Sequence, residues 1–357
     1  MKLTPHAVVC FILSIAAGIL AHIVRMPLAF VLGPMIVTAI FAISGITPFA
    51  PPPGRRVGQI IVGTSVGLSF TAPVLASLLD YVPLIVFSAL SAMLLGAILS
   101  IPYARIARVD SKTAYFAMMP GGLAEMANIG GAHGGKSAPI SLAQALRVAL
   151  VVCILPPLIV SLDLHGDFEA FDSVPLVDPV LLIPLFAAAG VGVFTIRTLR
   201  LNNPWMVGAL LGSATVGVLG LIEGRVPHVL FYAGQFLIGI SIGARFKREL
   251  VRHLVRLAIT SVGFTLVMTA ALLAFAFLVA KLGGLDYASA ALAVSPGGFA
   301  EMTVTAQTLH LNVALVVAFH IVRSVLVNSF STHLMTMLTH LGLFRLGDRA
   351  VQRKNLA

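Results

Sequence analysis

The chain is dominated by apolar stretches of roughly 20 residues, the length that crosses the hydrocarbon core of a bilayer as a helix. Ten of them predict membrane spans, at about 5–24, 28–47, 57–78, 82–102, 138–160, 179–196, 204–222, 228–246, 255–280 and 311–338. Two further apolar segments, about 113–133 and 287–309, are interrupted by Pro-Gly-Gly and predict re-entrant or broken helices. The pattern therefore predicts an all-α polytopic membrane protein.

Composition supports the same class and narrows the function. Hydrophobic residues make up 59% of the 357 residues and charged residues only 10%, against about 25% charged in a soluble domain. This excludes a soluble enzyme, a nucleic-acid-binding domain and a disordered chain. The net charge of +10 is explained by Lys and Arg gathering in cytoplasmic loops, so the expected partner is the lipid bilayer and no nucleic acid.

The sequence repeats itself once. Equivalent residues lie 176 positions apart without a gap in three places: Gly58–Phe70 with Gly234–Phe246, Pro120–Met126 with Pro296–Met302, and Arg147 with Arg323. In the second span the offset is 175, since Phe30 and Gly33 match Trp205 and Gly208. The repeat predicts two membrane halves, 1–160 and 179–340, with an acidic extracytoplasmic linker at 161–178 and a basic cytoplasmic tail at 341–357.

Charge also predicts the topology. If the N-terminus is cytoplasmic and each Pro-Gly-Gly segment returns to the side it entered from, 17 of the 23 Lys and Arg residues face the cytoplasm and the acidic linker faces the other side. If both segments cross instead, the basic cluster 247–256 falls outside. The first arrangement gives five crossings per half, and an odd number makes the repeats inverted, as in many secondary transporters.

The two Pro-Gly-Gly breaks are the first candidate site. Broken backbone within a membrane is tolerated where it is buried in protein or lines a cavity, and half-helix ends can bind ions or charged substrate groups. We therefore expect the glycines to offer backbone groups to a substrate or ion; they are Gly121, Gly122, Gly297 and Gly298. A kink that serves packing alone is the competing explanation.

Each break is followed by a carboxylate and then by an arginine. Glu125 and Glu301 lie within apolar membrane segments, where charge is costly and normally paired. Arg147 and Arg323 follow 22 residues later, each near the middle of its span. These four residues either form structural Glu–Arg pairs or line a central polar site that binds substrate or ion.

Three further polar residues extend this site. Gln59 and Gln235 lie in the repeated pattern Gly-Gln-x-x-x-Gly-x-Ser-x-Gly, whose glycines predict close helix packing. His320 occupies the place that Gln144 has in the first half, an asymmetry that suits a directional or proton-coupled site and equally a neutral histidine bonded within the bundle. No histidine pair has metal-ligand spacing, so no metal, cofactor or catalytic residue is predicted and the protein is not expected to be an enzyme.

The doubled Pro-Gly-Gly-x-Ala-Glu-Met motif, each copy followed by an arginine helix and preceded by the Gly-Gln pattern, resembles the AbrB-type integral membrane proteins of bacteria. The resemblance covers essentially the whole chain and implies a multi-pass protein of the bacterial inner membrane. Members carry the conflicting labels of ammonia monooxygenase and AbrB family regulator. A copper or iron oxygenase needs converging ligands that this sequence lacks, and a DNA-binding regulator needs a soluble domain.

The function predicted from the sequence is secondary transport of a small solute, coupled to a proton or another ion. The two arginines and the half-helix ends favour a small anion or organic acid as the solute. The mechanism would be alternating access around a midplane site. The alternative is a membrane sensor or regulatory scaffold that affects gene expression indirectly, and a metal monooxygenase is the least supported. Homo-oligomerisation is left open.

Overall fold

The computed structural model describes residues 5–51, 53–164, 175–201 and 203–342. Within these ranges the chain forms sixteen helices, in order α1 (Pro5–Ile23), α2 (Ala29–Ile43), α3 (Gly54–Gly67), α4 (Ala72–Asp80), α5 (Val82–Ala107), α6 (Ser111–Met118), α7 (Leu123–Ala132), α8 (Ser137–Ser161), α9 (Leu182–Thr198), α10 (Pro204–Val218), α11 (His228–Gly243), α12 (Arg248–His253), α13 (Val255–Gly283), α14 (Tyr287–Val294), α15 (Phe299–Thr308) and α16 (Val313–His340). The predicted all-α class is confirmed.

Five of these helices are long and apolar enough to cross a bilayer: α1, α5, α8, α13 and α16. They expose large aliphatic and aromatic side chains, among them Leu20, Leu94 and Phe277, as a lipid-facing surface requires. Four shorter apolar helices, α2, α9, α10 and α11, have 15 to 17 residues. The chain is a multi-pass membrane protein.

The segment predicted as one straight span at about 57–78 is instead two helices. α3 ends at Gly67 and α4 begins at Ala72, with a bend of 91° between them. α11 ends at Gly243 and is followed by the short α12 from Arg248. Ala72 and Arg248 are equivalent positions of the two halves, so the interruption of the helix recurs in the repeat.

Several sequence predictions fall on residues outside the described ranges. Most of the acidic linker, 165–174, and the basic tail from residue 343 onward lie there, as does Lys2. The linker residues Asp163 and Asp178 are described, on either side of that gap.

The described chain divides into two compact units, and each takes segments from both sequence halves. Unit 1 comprises Met1–Val82, Cys153–Arg248 and Ala300–Ala318, and unit 2 comprises Pro83–Val152, Glu249–Phe299 and Phe319–Ala357. The boundary at Phe299 falls at the start of α15. The second broken segment is therefore divided between the units, whereas α6 and α7 both belong to unit 2.

In unit 1, helices from one sequence half pack on helices from the other half. α1 packs on α2 and α9 on α10; α2 then packs on α11 of the other half, and α10 packs on α3. α3 and α11 contact each other between these pairs. The same set of contacts is obtained when the two halves are exchanged, so the repeat seen in the sequence is also a repeat of packing.

The repeated glycines allow this exchange. A Cβ on Gly63 would lie 2.6 Å from the carbonyl oxygen of Met206, and one on Gly239 would lie 2.5 Å from that of Val31. Val31 and Met206 are equivalent residues of α2 and α10, 175 positions apart. Only glycine lets these helix backbones approach so closely, which supports the packing role expected for the glycines of the Gly-Gln pattern.

Unit 2 contains the first broken segment and the arginine helices. Its apolar core includes Met93, Phe116, Ile140 and Val327. Two buried tyrosines link its helices: the Tyr103 hydroxyl lies 2.7 Å from Ser261 Oγ, and the Tyr115 hydroxyl donates to the Ser331 carbonyl over 2.8 Å. These hydrogen bonds connect α5 with α13 and α6 with α16, and so hold the elements that carry the candidate site.

Candidate functional site

Both predicted breaks are confirmed as pairs of short helices, α6–α7 and α14–α15. α6 and α14 each begin with an aspartate cap: Asp110 Oδ1 accepts from the Thr113 amide over 2.8 Å, and Asp286 Oδ1 from the Ser289 amide over 2.7 Å. A capping carboxylate satisfies an amide that has no partner within its own helix. The start of each broken segment is therefore fixed by the same chemistry in both halves.

The arginines bind the ends of the first half-helices. Arg147 donates from Nη1 to the carbonyl of Met119 over 2.9 Å and from Nη2 to that of Gly121 over 3.2 Å. Arg323 donates from Nη1 to the carbonyl of Ser295 and from Nη2 to that of Gly297, the latter over 3.1 Å. The last carbonyls of a helix lack partners and carry partial negative charge, so each guanidinium stabilises a helix end and bridges the break.

Gln144 and His320 support the two arginines in equivalent ways. The Gln144 amide nitrogen donates to the carbonyls of Phe116, Ala117 and Met119, and its oxygen accepts from Arg147. His320 Nε2 lies 3.0 Å from the Leu292 carbonyl oxygen, and its Nδ1 lies 2.8 Å from Arg323 Nη2. Since Arg323 can only donate, His320 accepts at Nδ1 and carries its proton on Nε2, the neutral form.

The two arginines of unit 2 have no ion-pair partner among the described residues. Both are buried, and every hydrogen-bond partner that the described residues give their guanidinium groups is uncharged. In both, the Nε–H is buried and has no partner within the described chain.

The glutamates do not pair with these arginines in the described residues, contrary to one expectation from the sequence. The one ion pair that a described residue makes with either glutamate joins Glu301 Oε1 to Arg55 Nη2 at 3.5 Å. The side chain of Glu301 is 1% exposed and that of Arg55 is 27% exposed. Phe231 takes the equivalent place in the second half, so Glu125 has no matching arginine there.

Both glutamates hold the third position of a half-helix, α7 or α15. Glu125 folds back over Gly122, the residue that precedes α7; a Cβ on Gly122 would lie 2.1 Å from its Oε2. A carboxylate in the first turn offsets the positive end of the helix dipole. Glu125 is half-buried and Glu301 is buried, so only the second carboxylate is fully withdrawn from the surface.

The remaining predicted residues have separate positions. The carbonyls of Gly121 and Gly297 are engaged by the arginines, whereas Gly122 makes room for Glu125 and Gly298 is half-buried. Gln59 belongs to unit 1, where its amide donates to Asn203 Oδ1 over 3.1 Å. Gln235 is buried in the same unit. The predicted residues therefore fall into a unit 2 group around the arginines and a unit 1 group around α3.

Sequence reasoning missed the partners in unit 1. Arg55 is not among the candidate residues above, yet it binds Glu301. Gln307 donates to Ser65 Oγ over 3.1 Å, and Asn203 accepts from Gln59. One signal was available. After the shared motif the second half continues Met-Thr-Val-Thr-Ala-Gln where the first has Met-Ala-Asn-Ile-Gly-Gly, so α15 is markedly more polar than α7, and residues 300–307 are all buried.

Among the described residues, no three His, Cys, Asp or Glu side chains converge on a common point.

The fold and the two arginine-bound breaks define a duplicated, multi-pass, all-α membrane protein. The chain belongs to the AbrB family, whose model carries the description "Transition state regulatory protein AbrB" and matches residues 30–339.

Two relatives are similar over nearly their whole length. One, from Bacillus subtilis (strain 168), is named "Uncharacterized protein YhjN" and is 27% identical over 357 residues, covering 92% of each chain. The other, from Escherichia coli (strain K12), is named "Putative regulator AbrB" and is 28% identical over 315 residues, covering 87% of this chain and 89% of the relative.

Proposed function

We propose that this protein is a secondary transporter of small organic anions in the bacterial inner membrane. The observation that carries the proposal is the pair Arg147 and Arg323, two buried guanidinium groups whose hydrogen-bond partners in the described part of the chain are all uncharged. A buried charge that lacks a counter-charge is costly, and within a membrane such residues mark substrate or ion pathways.

The donor chemistry favours a carboxylate. Each guanidinium uses Nη1 and Nη2 to hold a half-helix end, and its Nε–H has no partner among the described residues. A carboxylate would accept from such donors and would neutralise the positive charge. Because His320 and Gln144 are already bonded at the ends of their side chains, they position the arginines and leave substrate contact to the guanidinium groups.

The architecture supports transport by alternating access. Internal repeats with discontinuous helices recur in secondary transporters, whose substrates bind at the helix breaks. Here the breaks, their aspartate caps and their arginines recur in both halves. We take the repeats to be inverted, as the distribution of basic residues predicts.

The test is uptake into proteoliposomes that contain the purified full-length chain. Radiolabelled mono- and dicarboxylates, amines and ammonium are offered under an imposed pH gradient and, separately, a sodium gradient. Saturable uptake of a carboxylate, abolished in both Arg147→Gln and Arg323→Gln, is the expected result. Gly263→Ala is the matched control, because a Cβ at that position meets no atom within 4 Å. Uptake of amines alone, or no saturable uptake at all, would overturn the proposal.

A sensor is the second candidate, and it has one observation in its favour: the family description and the name of the Escherichia coli relative both refer to a regulator. A sensor would bind the same carboxylate at the arginines without moving it across the membrane. Carboxylate binding that requires Arg147 and Arg323, in the absence of flux, would favour the sensor over the transporter.

A further inference from the structure

Helices α3 and α15 of unit 1 are joined at two levels by polar side chains. The Arg55–Glu301 ion pair connects their first turns, and the Gln307 amide donates to Ser65 Oγ near their other ends. Since the contacts follow the same order along both helices, α3 and α15 run in the same direction. The Gln307–Ser65 hydrogen bond brings their C-terminal turns, which end at Gly67 and Thr308, within side-chain reach of each other. We call this place the α3–α15 junction.

The junction holds buried oxygen atoms that have no partner. Within the described residues, Gln307 Oε1 and Thr308 Oγ1 neither donate nor accept a hydrogen bond. Gln307 is only 4% exposed, and Ser65, to which its amide nitrogen donates, is fully buried. A buried polar atom without a partner costs about 1–3 kcal/mol, so a group that supplies a partner to these oxygens would stabilise the fold.

The electrostatics of the junction favour a cation. The C-terminal end of each helix carries a partial negative charge from its last carbonyls, and here two such ends meet. Ser65 and Gln307, which bond across the junction, carry the oxygens Oγ and Oε1, and Thr308 adds Oγ1 at the last residue of α15. Hydroxyl, amide and carbonyl oxygens are ligands of hard cations, and half-helix C-termini bind sodium ions in membrane transporters.

The charge of the ligands sets the class of ion. These three side chains are neutral, and no group of three His, Cys, Asp or Glu residues converges anywhere in the described chain. Sites for divalent cations depend on carboxylates. We propose that the α3–α15 junction binds one monovalent alkali-metal cation. Its role as the coupling ion rests on the transport function proposed above, but its binding does not.

The other half of the chain does not repeat this junction. Ser241, the equivalent of Ser65, donates within its own helix to the Leu237 carbonyl over 2.6 Å. The equivalent of Gln307 is Gly131, on a helix that belongs to unit 2. The repeat thus supplies one cation site per chain, and this asymmetry would give an otherwise symmetric pair of halves a direction for ion coupling.

The test is the thermal stability of the purified full-length chain in detergent. The apparent melting temperature is measured against NaCl, KCl and LiCl, with N-methyl-D-glucamine chloride keeping the ionic strength constant. We expect a saturable rise with one of the alkali ions, because an ion that binds the folded state stabilises it. Thr308→Val and Gln307→Leu should each weaken this affinity at least tenfold. Ser65→Ala provides a third variant should Gln307→Leu not fold.

Two variants serve as matched controls. Thr305→Val removes a buried hydroxyl from the same helix that already donates to the Glu301 carbonyl over 2.8 Å, and Ser241→Ala removes the equivalent serine of the other half. Both should keep the wild-type cation response. A melting temperature indifferent to all three alkali ions would mean that water alone fills the junction, and a response that survives Thr308→Val and Gln307→Leu would place the ion elsewhere; either result overturns the proposal.

The outcomes also separate this inference from the proposed function. Carboxylate uptake without cation stabilisation would leave the transporter and remove the cation site. Cation stabilisation that depends on Gln307 and Thr308, together with no flux of any solute, would establish the site and contradict transport.

Discussion

Arg147 and Arg323 are equivalent residues, 176 positions apart. Each donates to the two carbonyls that flank the proline of a Pro-Gly-Gly break. The planar guanidinium can reach both carbonyls at once because its donors form a rigid fork, whereas the ammonium of lysine acts as a point charge. The two arginines therefore have a structural task that charge alone does not fulfil.

Replacing either arginine by lysine should separate charge from shape. We expect Arg147→Lys and Arg323→Lys each to lower the free energy of unfolding by about 1–3 kcal/mol, the cost of leaving a buried acceptor unsatisfied. Denaturant titration in detergent measures this loss. Arg256→Lys is the control, because Arg256 is exposed and donates to the single carbonyl of Ile106. Equal losses at all three positions would contradict the fork geometry.

His320 can be replaced by glutamine, the residue that occupies its place in the first half as Gln144. Because Gln144 bonds both an arginine and the half-helix carbonyls, His320→Gln should keep the support of Arg323. Because the hydrogen bonds are kept, we expect the free energy of unfolding to fall by less than the roughly 1 kcal/mol that one hydrogen bond contributes. His320→Ala should lose more, since it leaves the Leu292 carbonyl and Arg323 without that partner.

The same exchange tests whether His320 carries a proton. Both of its ring nitrogens are engaged, so protonating Nδ1 would break its hydrogen bond with Arg323. We expect the pH profile of solute uptake to be the same in His320→Gln as in the wild type. A profile that becomes flat in this variant would show instead that His320 is the proton carrier.

The Arg55–Glu301 ion pair should respond unequally to loss of its two members. Arg55→Ala leaves a carboxylate that is 1% exposed without its cation, whereas Glu301→Gln leaves an arginine that is 27% exposed and can still be hydrated. Breaking a buried pair costs about 3–5 kcal/mol and an exposed pair about 0–1 kcal/mol. We therefore expect Arg55→Ala to destabilise more than Glu301→Gln.

A double-mutant cycle checks this reasoning. Adding Glu301→Gln to Arg55→Ala should recover most of the stability, because the buried charge is removed. Glu125→Gln is the matched control, since Glu125 is half-buried and has no ion pair with an arginine in the described residues. If the double variant is no more stable than Arg55→Ala, then Glu301 does not depend on Arg55.

The sequence predicted the helices and their repetition because both are written in local patterns. Apolar stretch length predicted the spans, and Pro-Gly-Gly predicted the breaks. The partners of charged side chains were not local. Arg147 and Glu125 are close in sequence and of opposite charge, yet Arg147 donates to carbonyls. Leaving the carbonyls at the break without a donor costs more free energy than leaving the glutamate without a cation.

The sequence also did not predict which helices of the two halves pack on each other. Glycines at repeated positions indicated close packing, but not that α3 packs on α10 and α11 on α2. The polar run of α15 could have indicated the unit 1 contacts, whereas Ser65 and Arg55 on α3 could be matched to it only in three dimensions.

The exchange itself predicts paired effects of glycine substitution. Gly63→Ala would bring a Cβ within 2.6 Å of the Met206 carbonyl, and Gly239→Ala within 2.5 Å of the Val31 carbonyl. Both obstacles are backbone atoms, so a helix must shift, and overpacking of this kind costs about 1–3 kcal/mol. Since the two contacts are equivalent, we expect similar losses of unfolding free energy from the two substitutions.

Gly263→Ala is the control for helix propensity. Gly263 lies within α13, where a Cβ meets nothing within 4 Å, so alanine there should stabilise the chain by about 0.4–1 kcal/mol. A large loss at Gly63 with none at Gly239 would show that only α3 depends on close approach to its partner. Equal losses at both positions, set against a gain at Gly263, can come only from contacts that the two halves share.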